Sequence, residues 1–113
     1  MNEYHGWITL CCTDSKWADD DWDAARVAVA GEIARFSVED GHSISFAETA
    51  NSMQTVLLSG HTDEDITTIV RFMEFVGGVV RDSYGELVVI NDAQADLSAA
   101  ARYRLTSGRV LEI

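Results

Sequence analysis

The chain is expected to fold as an α+β domain: a ferredoxin-like split β-α-β sandwich, ordered β-α-β-β-α-β. Extra C-terminal strands extend it, and both helices lie on one face of a mixed sheet. Three observations predict this. Two stretches carry apolar residues at helical spacing. Short segments around them alternate with a period of two. At 113 residues the chain makes one domain, residues 1–113, built on a single core.

Residues 4–12 read as the first strand, with Tyr4, Gly6, Ile8, Leu10 and Cys12 on one face and His5, Trp7, Thr9 and Cys11 on the other. A polar, turn-like stretch follows, and then a helix from about residue 20 to residue 36. Trp22, Ala25, Val29, Ile33 and Phe36 form its apolar stripe. Gly41 is its expected stop. Residues 43–48 alternate, with Ile44 and Phe46 on one face, and pair as a hairpin with a strand over 53–59. Thr62 and Asp65 have capping-box spacing and open the second helix. Its buried stripe is Ile66, Ile69, Val70, Met73 and Val76, widened by Phe72 and Phe75, and Gly77-Gly78 ends it. Strands over 79–82 and 86–90 are joined by a tight turn at Ser83-Tyr84-Gly85. Residues 92–98 form a loop or a single helical turn. A last hairpin pairs 101–105 with 109–113 about Ser107-Gly108.

The charge balance is the unusual bulk property. Nineteen Asp and Glu face eight Lys and Arg, for a formal net charge of -11. Such a surface repels nucleic acid and anionic lipid and attracts basic partners, although it also serves simple solubility. Residues 1–12 lack a basic segment and a long apolar run, with Glu3 where a leader would carry a cation. No apolar run approaches the roughly 18 residues that span a bilayer. The protein is therefore expected in the cytoplasm, away from membranes. Adjacent Cys11 and Cys12 point to opposite faces of a strand, so two reduced thiols are the default.

Spacing for chemistry is missing. His5, His42 and His61 form no HxH or HExxH pattern, and structural or solvent roles outweigh a metal site. The serines carry no GxSxG elbow, although a Ser-His-Asp arrangement assembled in space stays open. No GxGxxG or P-loop pattern follows a strand. The run Asp19-Asp20-Asp21-x-Asp23 lacks the spaced acids, central Gly and distal Glu of a calcium loop. Neither a metal nor a cofactor is expected, and no catalytic residue is assigned. Arg102, Arg104 and Arg109 gather positive charge on the last hairpin, too little against the net charge for a nucleic-acid interface. They could blunt an exposed edge strand.

What the chain does display is acid with aromatic groups inside it. Asp14, Trp17, Asp19, Asp20, Asp21 and Asp23 precede and open the first helix. Acids there suit the positive end of the helix dipole, which is compatible with their also forming a binding surface. Trp17 is either an exposed anchor of the kind that dominates interfaces or folds back onto the core. Trp7 suits core or sheet-face packing, and Trp22 suits the core. Asp63, Glu64 and Asp65 form a second acidic candidate at the second helix. If both helices start at the same end of the sheet, the two clusters make one patch.

Tyr4-His5-Gly6-Trp7 followed by Ile8 and Leu10 is similar to the start of the Imm7 immunity proteins of bacterial polymorphic toxin systems. The acidic stretch, the Trp22-bearing helix and the closing hairpin from Tyr103 to Glu112 resemble the family too, in order and length. The resemblance implies an α+β fold and a cytoplasmic, non-enzymatic protein that binds and neutralises the toxin domain of an effector. It assigns no interface residues, because immunity surfaces vary with the toxin. An acidic inhibitor suits a basic, nucleic-acid-targeting toxin. Two other classes stay open: a small-molecule-binding regulatory module of ferredoxin-like fold, favoured by a sizeable apolar pocket or a homodimer, and a small enzyme using His5 or His61, favoured by a concave pocket joining one of them to an acid.

Overall fold

A computed structural model of the protein describes residues 2–10, 19–40, 43–48, 54–62, 66–91, 93 and 97–113. Strand β1 (Asn2–Leu10) leads into helix α1 (Asp19–Asp40), and β2 (Ser43–Glu48) and β3 (Gln54–Thr62) form a hairpin. Helix α2 (Thr67–Val79) leads into β4 (Tyr84–Asn91). A 3-10 turn at Leu97–Ala99 precedes the closing hairpin of β5 (Ala101–Thr106) and β6 (Arg109–Glu112). Among the described residues the strands form one sheet in the order β2-β3-β1-β4-β5-β6.

The expectation of a mixed sheet is corrected, because every hydrogen-bonded pair is antiparallel. The register gives the reason. β1 and β2 run the same way, but β3 lies between them. β3 and β4 run the same way, but β1 lies between them. Each helical crossover therefore skips one strand.

Alternation along the strands sends one side chain in two to the core. Tyr4, Ile8, Leu10, Val56, Leu58, Leu87, Val89 and Leu105 are buried on one face, and both helices cover it. Helix α1 contributes Ala25, Val29 and Phe36, with Trp22 and Ile33 partly buried at the edge of the cluster. Helix α2 contributes Ile69, Phe72, Met73 and Val76. Phe36 and Phe72 meet between the helices with ring centroids 5.1 Å apart. Phe75, expected to widen the α2 stripe, points outward and is exposed.

Three local expectations fail around α2. Thr62 does not open the helix. It is the last residue of β3, paired with Asn2, and Ile66 takes the N-cap position without a side-chain cap. The strand expected over 79–82 is also absent: Val79 ends the helix, and Val80 caps it with an N–H donated to Val76 O at 2.8 Å. Buried Ser83 then closes the turn, its Oγ donating to Val80 O at 2.6 Å. Ser83-Tyr84-Gly85 is consequently no hairpin turn, and Tyr84 and Gly85 begin β4. Finally, Gly77-Gly78 lies inside the helix rather than ending it. At Gly77 a β-carbon would sit 2.7 Å from Leu105 Cδ1 and 3.2 Å from Gly108 Cα, so glycine lets α2 press against the β5–β6 hairpin. That hairpin turns through Ser107 and Gly108, both at positive φ (51° and 76°), which suits the right-handed twist of the strands it joins.

Candidate functional site

Of the acidic candidates, Asp21 and Asp23 stand exposed on the first turns of α1. The backbone of Asp19 and Asp20 begins that helix. Asp14, Trp17, Asp63, Glu64 and Asp65 lie outside the described residues, as do Cys11, Cys12, Gly41 and His42. Asp23 pairs with Arg26 one turn on, so part of its charge is spent within the helix. Glu32 pairs with Arg35 in the same way, and its carboxyl is held below the usual range by that hydrogen bond, partly opposed by burial.

The register separates the two helix starts. β1 ends at Leu10, opposite Gln54, whereas β3 ends at Thr62, opposite Asn2. Helix α1 thus starts from one end of the sheet and α2 from the other. The condition for a single acidic patch, both helices starting at one end of the sheet, is therefore not met.

The face of the sheet away from the helices is where exposed groups converge. Here stand Glu3, His5 and Trp7 from β1; Leu57, Ser59 and His61 from β3; Tyr84, Glu86 and Val88 from β4; and Arg102 and Arg104 from β5. An uncovered antiparallel face is ordinarily polar. This one exposes Trp7 (37%), Leu57 (45%) and Tyr84 (45%). Trp7 and Tyr84 meet edge to face, centroids 5.9 Å apart. A groove of about 420 Å³ runs along one side of Trp7, between His5, Leu57, Ser59, Glu86 and Val88. A smaller hollow of about 110 Å³ lies on the other side, bounded by Tyr84 and Arg104. Strand periodicity alone places His5 and Trp7 on one face. Their cross-strand apolar neighbours come from β3 and β4, whose register no local pattern reveals.

A polar chain borders the groove. With its proton on Nε2, His5 donates to Glu3 Oε1 at 2.7 Å and accepts from Ser59 Oγ at Nδ1, 3.2 Å away. The hydrogen bond from His5 holds the Glu3 carboxyl below the usual carboxylate range, partly opposed by slight desolvation. Arg104 holds Glu86 through two hydrogen bonds, at 2.9 and 3.2 Å.

The groove joins His5 to Glu86, the geometry a small enzyme would use, and Ser59-His5-Glu3 matches the order of a hydrolytic relay. The surroundings disfavour chemistry. The relay is exposed to water. β3 is flanked on both sides by hydrogen-bonded strands, so its N–H groups are committed to ladders rather than aimed at an oxyanion. Among the described residues no group of three or more His, Cys, Asp or Glu side chains could hold a metal ion. No described helix is long and apolar enough to cross a membrane.

Comparison with known families identifies the chain. The model of the immunity protein 7 family matches residues 1–113, the whole chain. The chain belongs to this family. Family membership makes it an immunity protein directed against a bacterial toxin, with a toxin protein as its partner. No curated protein and no solved structure matches the chain. Within this immunity protein, the Tyr4-His5-Gly6-Trp7 segment is divided by the sheet. Tyr4 is in the core, and Gly6 faces it from beneath Leu58 and Leu87. His5 and Trp7 are presented on the open face.

Proposed function

We propose that this immunity protein binds and neutralises a basic, nucleic-acid-targeting toxin domain in the cytoplasm, acting by blockade rather than by chemistry. The match of the family over the whole chain carries the reading. The net charge of -11 supports its finer part. A domain that cleaves or modifies a polyanion gathers Lys and Arg along its cleft, and an acidic inhibitor is drawn to that cleft by the field of the whole molecule. Association of this kind reaches ~10⁸ M⁻¹s⁻¹ at low salt and falls steeply as salt rises. Asp14, Trp17, Asp19, Asp20, Asp21 and Asp23 form the first acidic contact region in this proposal, and Asp63, Glu64 and Asp65 an independent second one. The fold belongs with it: we read β1 to β4 and the two helices as a ferredoxin-like split β-α-β sandwich, extended at one edge by β5 and β6.

The test is association kinetics of the purified protein with the toxin domain encoded beside it, measured from low to high salt. Tight 1:1 binding that slows with salt is expected. Charge reversal of Asp19, Asp20 and Asp21 should slow association and flatten its salt dependence. Unchanged kinetics would reject that cluster.

The groove beside Trp7 favours a second reading, a small-molecule-binding module. Its volume of about 420 Å³ is within the range of ligand sites. Ligand pockets enclose most of their occupant, however, and this groove lies open along a sheet face. A small-molecule ligand identified by native mass spectrometry, with no toxin bound, would turn the assignment toward it.

A further inference from the structure

We propose that the open face of the sheet, centred on Trp7, is the surface that locks onto the toxin domain. The toxin places an apolar or aromatic side chain beside Trp7 and carboxylates against Arg102 and Arg109. This inference rests on the immunity reading and names the surface that reading leaves unassigned.

Composition is the first argument. Trp, Tyr and Arg are the residues that most often dominate interface energies, especially where they line pockets that a partner can dry. Trp7 stands on a central strand of this face with Tyr84 beside it at the start of β4, a groove lies on either side of Trp7, and Leu57 and Val88 supply the apolar floor. Further out on β6, Leu111 is 54% exposed. Its register opposite Arg104 puts it on the same face.

Charge is the second argument, and it identifies the occupant. Arg102, Arg104 and Arg109 all project from the β5–β6 flank of this face. They are three of the eight Lys and Arg in a chain of net charge -11. The two acids described on this face are already engaged, Glu3 by His5 and Glu86 by Arg104. With Arg104 committed to Glu86, Arg102 and Arg109 leave the flank positive where the molecule as a whole is negative, which fits carboxylates on a partner. A second copy fits poorly: stacking two such faces sets -11 against -11 and leaves the arginines without new acids to meet.

The two surfaces have separable kinetic roles. Acid at the α1 start is long-range and sets the rate of approach. The Trp7 face is short-range and sets the rate of departure.

The experiment compares wild type, W7A and the double variant R102E/R109E for binding to the toxin domain, with thermal unfolding of each recorded alongside. The double variant changes only exposed side chains and so keeps the test valid if W7A unfolds. We expect R102E/R109E to weaken binding at least roughly tenfold, and W7A to raise the dissociation rate by about a hundredfold with association little altered. If both folded variants bind within about twofold of wild type, the Trp7 face is not the docking surface, while the immunity reading stands. If wild type itself binds no toxin, both fall together. Sedimentation of the protein alone separates the other occupant: a wild-type dimer that W7A dissociates would assign the face to a second copy and overturn the proposal.

Discussion

Replacing Gly77 with alanine should destabilise the protein, whereas the same change at Gly78, one residue on, should stabilise it. Both lie in α2, so both variants gain the same intrinsic helix preference, up to about 1 kcal/mol. Their surroundings differ. A β-carbon at Gly78 meets nothing within 4 Å. At Gly77 it would stand 2.7 Å from Leu105 Cδ1 and 3.2 Å from Gly108 Cα. Carbon atoms pack best at about 3.5–4.0 Å. Leu105 is fully buried, so its Cδ1 moves only by repacking the core around it, and Gly108 is backbone held in a tight turn. Overpacking of this kind costs about 1–3 kcal/mol. G77A should therefore lose about 1 kcal/mol net, and G78A should gain about 0.5–1 kcal/mol. The difference between the two isolates the helix–hairpin contact, because the propensity term cancels. Urea unfolding reads it as a shift in midpoint at constant slope. A G77A protein as stable as G78A would refute the close approach of α2 to the β5–β6 turn.

Four further outcomes are expected. F72A should cost about 3–5 kcal/mol, since Phe72 is buried against Phe36 at the junction of the helices, and chemical denaturation checks it. S107N should add about 0.5–1 kcal/mol in the same assay, because asparagine tolerates the positive φ that the turn imposes on Ser107. S83A should lose about 1 kcal/mol with the buried bond from Ser83 Oγ to Val80 O. At high pH, burial pushes the Tyr4 hydroxyl up to about 12 from 10.0. A raised folded-state value means its contribution is intact below pH 10 and drains away as pH climbs toward 12, by roughly 2–3 kcal/mol for a shift of this size. Tyrosine absorbance should show Tyr4 ionising late, and full ionisation of all three tyrosines near pH 10 in the folded protein would contradict its burial.

Much of the architecture was legible in local pattern. Apolar stripes at helical spacing located α1 and α2, alternation located β1 and β2, and Ser107-Gly108 located the last turn. Strict alternation also divided His5 and Trp7 from Tyr4 and Gly6. The failures share one cause, which is that tertiary contact outweighs local preference. Gly77-Gly78 looks like a helix stop until Leu105 and Gly108 occupy the space beside it. The valines at 79 and 80 look like a strand until Ser83 ties the chain back onto Val80. Thr62 and Asp65 have the spacing of a cap, yet pairing with Asn2 keeps Thr62 in the sheet. The site was harder to read for the same reason. Acidic runs are contiguous and easily seen, whereas the Trp7 face is assembled from β1, β3, β4 and β5. Only the register brings Leu57, Val88, Tyr84 and Arg104 around one tryptophan.

The most direct test of the central claim is titration of the toxin domain's activity with the purified protein, paired with growth of bacteria expressing the toxin domain with and without it. Activity falling linearly to zero at one equivalent, with growth restored, is the predicted result. A toxin that stays fully active at saturating protein, in cells that still die, would contradict it.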